Sequence, residues 1–257
     1  MRVRPTPALG IIIGILYIVS FIGLSLAMGG VITDLTSVER IAPFLVALGV
    51  SAAWLVVVTS VFGWWRPVLR DRTRVGGTLR VVPVVWIVVI GVMLVGGQGW
   101  TLPVDRLMAT LLLGALVGFS EELAYRGLAL VGLRGGGNEQ RAFLVATVLF
   151  ALLHLPNALL GAPVAGAVTQ VIFALLGGVV LYTIRRTTGL LVMAMVFHAA
   201  WDISTFISQN PALSSIQLLA NIVLVVLIFT QRKTLFAPDQ EDQLGVDAHA
   251  PAAAATA

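Results

Sequence analysis

The chain has 257 residues, of which 58% are hydrophobic and only 11% are charged, and it contains no cysteine. A soluble domain carries about 25% charged residues, so a surface this poor in charge does not suit a water-soluble monomer. The lack of cysteine excludes disulfides, thiolate metal ligands and a cysteine nucleophile. This composition predicts a polytopic integral membrane protein.

Eight apolar stretches are about 18 residues long or more, enough to cross a hydrocarbon core of ~30 Å. We therefore expect an all-α fold with about eight transmembrane helices. The first stretch is longer than the apolar core of a signal peptide, which has ~7–15 residues, and is expected to remain as a span. The stretches cover residues 9–29, 41–65, 81–97, 107–133, 142–160, 164–184, 189–208 and 213–230.

The basic residues are unevenly distributed over the connections between these stretches. Of the 16 lysines and arginines, all except Arg40, Arg106 and Arg126 lie in segments that are cytoplasmic if Met1 is cytoplasmic. This distribution follows the positive-inside rule and predicts that both termini are cytoplasmic, in a multi-pass protein of the cell (inner or plasma) membrane. It also argues against nucleic acid as a partner, because the basic residues are explained as signals that orient the helices in the membrane, next to lipid.

Several ionisable side chains fall inside the predicted spans. An ionisable group near the bilayer centre costs several kcal/mol unless it is paired or hydrated, so it indicates a functional site. At ~1.5 Å per residue, four of these groups lie at a similar depth, about 14–20 Å from the cytoplasmic surface. This common depth predicts one site shared by three helices. The groups in the spans are Glu121, Glu122, Arg126, His154, His198 and Asp202, and the two that the depth estimate omits are Glu122 and Arg126.

The helical spacing of these residues predicts how they pair. Glu122 and Arg126 are four residues apart and should form an ion pair on one face of their helix. Glu121 lies ~140° from Arg126 around the same helix and is left free for chemistry. His198 and Asp202 are also four residues apart, so Asp202 is expected to accept a ring N–H and fix the tautomer of His198.

Three short motifs follow one another along these spans. Residues 121–126 match EExxxR, residues 150–154 match FxxxH, and residues 198–202 match HxxxN/D. In this order, the motifs resemble those of the CPBP family of intramembrane proteases, which includes type II CAAX-prenyl endopeptidases and bacteriocin-processing or self-immunity proteins. The resemblance covers residues 107–208. The chain has Asp202 where the prenyl-protein endopeptidases typically have Asn, a difference that concerns the substrate more than the chemistry.

The resemblance implies an intramembrane endopeptidase. In it, Glu121 would be the general base that activates a water, and His154 would help to position that water. His198 and Asp202 would stabilise the oxyanion formed on the scissile carbonyl. The implied substrate is a membrane-associated or prenylated-type peptide or protein that enters from the membrane or the cytoplasmic side.

Two questions about the catalytic set stay open. Glu122 and Arg126 are either directly catalytic or an ion pair that only holds helices together. The family is also described as metalloproteases, and Glu121, His154 and His198 are candidate ligands for a Zn²⁺ ion with one open position. The sequence has no HExxH motif, so such ligands would come from separate helices. No organic cofactor is expected.

A second class of function stays open as well. Intramembrane carboxylates and histidines also form proton relays, so a proton-coupled transporter or a non-proteolytic bacteriocin-immunity membrane protein is the alternative. The polar side chains of Gln170, Gln217 and Asn221 could line a cavity or bridge helices.

The remaining expectations concern organisation and packing. Residues 1–106 are expected to form three N-terminal helices, residues 107–208 the core with the motifs, residues 209–233 the last helix, and residues 234–257 a disordered cytoplasmic tail. Small side chains on the face of the Glu121 helix should let another helix approach closely, and three aromatic residues near the motifs are interpreted as packing residues. The small residues are Gly114 and Gly118, and the aromatic residues are Tyr125, Phe150 and Trp201.

Overall fold

The computed structural model describes residues 1–97, 101–208 and 210–237. Within these residues the chain is helical, with no strand beyond one isolated bridge between Arg70 and Leu190. The elements in chain order are α1 (Pro7–Ala27), α2 (Val38–Phe62), α3 (Trp65–Leu69), a 3-10 turn (Gly77–Arg80), α4 (Val81–Gly96), α5 (Val104–Glu122), a π-helix (Leu123–Ala129), α6 (Leu130–Arg134), α7 (Glu139–Leu152), a second 3-10 turn (Leu155–Leu160), α8 (Val164–Thr188), α9 (Leu191–Ser208), α10 (Pro211–Thr230) and α11 (Arg232–Leu235).

Eight helical stretches among the described residues are long and apolar enough to cross a membrane, which confirms the predicted number. Their ends differ from the predicted ones by at most four residues. Local caps explain some of these shifts: the side chain of Asn138 accepts a hydrogen bond of 2.8 Å from the Arg141 N–H and starts α7 three residues early. At the end of α8, Gly189 has a left-handed φ of 71° and terminates the helix.

Each of the eight stretches carries large apolar side chains that are exposed on the outside of the molecule. Val57 on α2, Val88 on α4 and Val226 on α10 are each more than half exposed. Exposure of so much apolar surface to water is unfavourable, whereas the hydrocarbon core of a bilayer suits it. The protein is therefore a multi-pass membrane protein.

The close helix approach predicted at Gly114 and Gly118 is confirmed, and it joins α5 to α9. A Cβ atom at Gly118 would lie 2.6 Å from the Met195 carbonyl oxygen and 2.7 Å from the Ala199 nitrogen. A Cβ at Gly114 would lie 2.5 Å from a side-chain carbon of Ile203. This approach brings the end of α5, with its glutamates, against the middle of α9.

One end of the helix bundle carries a buried cluster of charged side chains, which we call the basic cluster: Asp71, Arg134, Glu139, Arg185 and Arg186. The Asp71 carboxylate accepts hydrogen bonds of 2.9 Å from Arg134 and 2.8 Å from Arg185, and lies 3.4 Å from Arg186. Arg134 also donates to Glu139 at 2.7 Å. Burial raises the pKa of the Asp71 carboxyl, but the guanidinium groups of Arg134 and Arg185 outweigh this and hold that pKa well below its usual range. These arginines are thus packing partners as well as the orientation signals that the sequence predicted.

The predicted tail begins with residues that pack against this end of the bundle. Leu235 is buried, and the ring of Phe236 lies 5.1 Å from the ring of Phe143. Arg186 donates a hydrogen bond to the carbonyl oxygen of Ala237. Disorder is therefore wrong for residues 234–237, because an apolar pair and a buried arginine hold them. Residues 238–257 lie outside the described residues, and the other domain limits stay predictions.

Candidate active site

Three spanning stretches bring the six predicted site residues to one place. His198 lies at the centre: its Nδ1 atom is 2.9 Å from Glu122, and its Nε2 atom is 3.9 Å from Glu121 and 3.6 Å from Asp202. His154 follows the end of α7 and lines the same cavities as Asp202. The set comprises Glu121 and Glu122 at the end of α5, Arg126 on the π-helix, His154, and His198 and Asp202 on α9.

Glu122 has two partners on two different elements. Its Oε1 atom accepts a hydrogen bond of 2.7 Å from Arg126, which confirms the predicted ion pair, and forms another of 2.9 Å with Nδ1 of His198. Because a carboxylate only accepts, Nδ1 carries the hydrogen in this pair. The expectation that Asp202 fixes the His198 tautomer is wrong, since 3.6 Å is too long for a hydrogen bond. Glu122 orients the ring instead, from across the α5–α9 contact.

Phe150 contributes more than the packing role that the sequence suggested. The Arg126 guanidinium carbon lies 3.8 Å from the centre of its ring, and the rings of His154 and His198 meet it edge-on at 5.5 and 5.6 Å. A Cβ atom at Gly178 on α8 would lie 3.1 Å from Arg126 and 3.3 Å from Phe150, so this glycine leaves room for both. The FxxxH motif therefore places one aromatic ring against a buried cation and against the rings of two histidines.

A π-helix follows the two glutamates directly and carries Arg126. Such segments are rare and are frequent at functional sites. The guanidinium of Arg185 in the basic cluster donates a hydrogen bond to the backbone carbonyl of Arg126 within this π-helix. Arg185 thus links the basic cluster to the site, a connection for which the sequence carried no signal.

The N-terminal helix α1 also supports the site, although it carries no motif. The Tyr17 hydroxyl forms a hydrogen bond of 2.8 Å with Ser120, the residue before Glu121. The Tyr125 hydroxyl donates to the carbonyl oxygen of Gly14 at 3.2 Å. Both ends of the EExxxR segment are therefore fixed by α1.

Two cavities meet at the site. The first, which we call the apolar cavity, has a volume of about 390 Å³ and is bounded by α1, α2, α5 and α9, with Glu121 in its wall. The second, the polar cavity, has a volume of about 370 Å³ and is lined by His198, Gln217 and Asn221 among others. His154 and Asp202 line both cavities, as does Gln170. The amide side chains that the sequence left unassigned thus line cavities.

Several buried polar atoms of the site have no hydrogen-bond partner among the described residues. They include Oε2 of Glu121 and Nδ1 of His154, both in the wall of the apolar cavity, together with Oε2 of Glu122 and Nη2 of Arg126. Buried polar groups normally have partners, and unpartnered ones concentrate where a site has chemistry to do. The site therefore offers both acceptors and donors to a bound molecule.

The candidate zinc ligands Glu121, His154 and His198 lie around the same site, but their side chains are not arranged as a metal-binding set. Among the described residues, no group of three or more His, Asp or Glu side chains is placed so that it could hold a metal ion. A catalytic zinc site uses three protein ligands and keeps one coordination position open. A Zn²⁺ site at Glu121, His154 and His198 stays a prediction.

Comparison with known proteins agrees with the motifs. No curated protein matches the chain. A family model does match, over residues 103–204, and its description is type II CAAX prenyl endopeptidase Rce1-like. This segment coincides within four residues at each end with the predicted one and contains all six site residues. The resemblance to the CPBP family is thereby confirmed: residues 103–204 are similar to the Rce1-like type II CAAX prenyl endopeptidases.

Proposed function

We propose that the protein is an intramembrane endopeptidase that hydrolyses a peptide bond with a water activated by Glu121. The observation that carries this proposal is the unpartnered Glu121 carboxylate oxygen, which lies in a cavity wall beside His154 and Asp202. The family supports peptide hydrolysis in general. The role of Glu121 is supported by its placement.

In the first step, Glu121 takes a proton from the water while the water oxygen bonds to the scissile carbonyl carbon. The carbonyl π electrons move to its oxygen and form an oxyanion. Nδ1 of His154 is also unpartnered and holds the water in position. In the second step, the oxyanion electrons re-form the C=O bond, the C–N bonding pair leaves with the nitrogen, and Glu121 returns the proton to that nitrogen. This is general base and then general acid catalysis by one carboxyl.

His198 stabilises the oxyanion in this proposal. Its Nδ1–H is bonded to Glu122. With a second hydrogen on Nε2 the ring is a cation, and the Nε2–H donates a hydrogen bond to the oxyanion. Asp202, at 3.6 Å from Nε2, supports the charged ring. A fixed donor in a site that excludes water is among the stronger contributions to catalysis.

The substrate in this proposal is a membrane-associated or prenylated-type polypeptide. The lining of the apolar cavity includes Phe21, Phe44, Leu48 and Leu113, which suit an apolar side chain or a lipid chain next to the scissile bond. The proposed location is the cell membrane, as the positive-inside rule predicts.

The test compares Glu121→Gln with the wild-type protein, both purified in detergent, on a library of apolar peptides and on farnesylated CAAX peptides, with products identified by mass spectrometry. General base catalysis contributes about 10²–10⁴-fold, so we expect the cleavage rate to fall at least ~100-fold. Glu39→Gln is the control, because Glu39 is exposed at the start of α2.

A Glu121→Gln rate equal to that of the wild type would contradict the proposal. Absence of cleavage by the wild-type protein would do so too. A proton-coupled transporter needs a gradient across a membrane, whereas the proposed hydrolysis proceeds in detergent.

A further inference from the structure

The apolar cavity connects the site to one particular end of the bundle. Its inner wall carries Glu121, and its outer wall is formed by Ile32, Thr33 and Leu35 of the α1–α2 connection. The Ile32 N–H donates a hydrogen bond of 2.8 Å to the carbonyl oxygen of Leu160, so the α1–α2 and α7–α8 connections meet there. We call this the loop end. Thr33 is exposed, which puts the cavity wall in contact with the surroundings of the loop end.

The opposite direction from the site is filled by packed side chains. All seven residues of the π-helix Leu123–Ala129 are buried. A Cβ atom at Gly127 would lie 3.2 Å from Val68 on α3 and 3.3 Å from Leu191 on α9, and both of these side chains are fully buried. The basic cluster lies beyond this layer and is itself buried. The layer separates the site from that end of the bundle, which we call the basic end.

Charge indicates which end faces the cytoplasm. Arg66, Arg70, Arg74 and Arg80 are exposed at the basic end, between α2 and α4. At the loop end, Arg40 is paired with Asp34 at 3.3 Å. Because basic residues accumulate in the cytoplasmic connections of membrane proteins, the basic end is the cytoplasmic one and the loop end is the non-cytoplasmic one.

We infer that the catalytic groups are reached from the non-cytoplasmic end of the bundle, through the apolar cavity. The substrate is then a membrane-anchored polypeptide whose scissile bond lies on the non-cytoplasmic side of the bilayer and whose apolar side chains occupy that cavity. The identity of this substrate rests on the proposed endopeptidase function, whereas the route of access does not. The inference replaces the entry from the cytoplasmic side that the sequence suggested.

The natural lack of cysteine allows a direct test by single-cysteine labelling. Thr33→Cys places a thiol at the loop end, and Val117→Cys places one on the cavity wall, one helical turn before Glu121. Thr78→Cys is the matched control, because Thr78 is exposed at the basic end. Each variant is treated with a small membrane-impermeant thiol reagent in intact cells and in inverted membrane vesicles.

We expect Thr33→Cys and Val117→Cys to be labelled in intact cells, and Thr78→Cys to be labelled only in inverted vesicles. Labelling of Val117→Cys only in inverted vesicles, or from neither side, would overturn the inference. Labelling of Thr33→Cys only in inverted vesicles would also overturn it. Because the readout needs no activity, an unchanged rate of Glu121→Gln would refute the proposed function and leave the access route standing.

Discussion

Glu121 and Glu122 are neighbours in the chain, yet their carboxylates have different surroundings. Glu122 is fully buried and shared between Arg126 and His198, whereas Glu121 keeps an oxygen without a partner in the wall of a cavity. Adjacent residues on a helix point ~100° apart, so one faces the neighbouring helix and the other faces the cavity. This difference assigns Glu122 to positioning His198 and leaves Glu121 as the proposed base.

Arg126→Ala is expected to lower the folded yield as much as the activity. The substitution leaves Glu122 as a buried charge without its cation and removes the guanidinium from the Phe150 ring, at a cost of about 3–5 kcal/mol. Size-exclusion chromatography and thermal unfolding in detergent measure the folded fraction, with the exposed Arg141→Ala as the control. A normal yield together with lost activity would instead make Arg126 a catalytic residue.

At the scale of the helices, the sequence predicted what depends on spacing along one element. The i, i+4 spacing placed Glu122 against Arg126, and two small residues predicted the contact made at Gly118. It did not predict that α1 packs against the site, because an outward face that meets lipid is as apolar as a buried one. The hydrogen bond between Tyr17 and Ser120 therefore could not be predicted from the sequence, and neither could the π-helix.

Gly118→Ala is expected to force α5 and α9 apart, since the added Cβ would lie 2.6 and 2.7 Å from backbone atoms that cannot rotate away. Overpacking of this kind costs about 1–3 kcal/mol, and it also separates Glu122 from His198, so both the melting temperature and the activity should fall. Gly91→Ala on α4 is the matched control, because a Cβ there meets nothing within 4 Å. Equal melting temperatures for the two variants would refute the role of the α5–α9 contact.

Across the whole molecule, the basic cluster joins parts of the chain that are distant in sequence. Asp71 precedes α4, Arg134 ends the long α5–α6 span, and Arg185 lies near the end of α8. Arg185 also bonds the Arg126 carbonyl, so the cluster reaches the site. The sequence showed these arginines only as orientation signals, because their burial around one carboxylate depends on how three segments pack together.

Asp71→Asn is expected to destabilise the protein at neutral pH, since it removes the carboxylate between Arg134 and Arg185 at a cost of about 3–5 kcal/mol. Because the folded-state pKa of Asp71 lies well below its unfolded value of about 3.9, the carboxylate contributes its full stability above about pH 4 and loses it as the pH falls further. The difference in melting temperature between wild type and Asp71→Asn should therefore be constant from about pH 8 to pH 5 and shrink below pH 4. Asp34→Asn at the exposed pair with Arg40 is the control, with a change of about 0–1 kcal/mol. A difference that grows on acidification would show that Asp71 is not held as a carboxylate by the surrounding arginines.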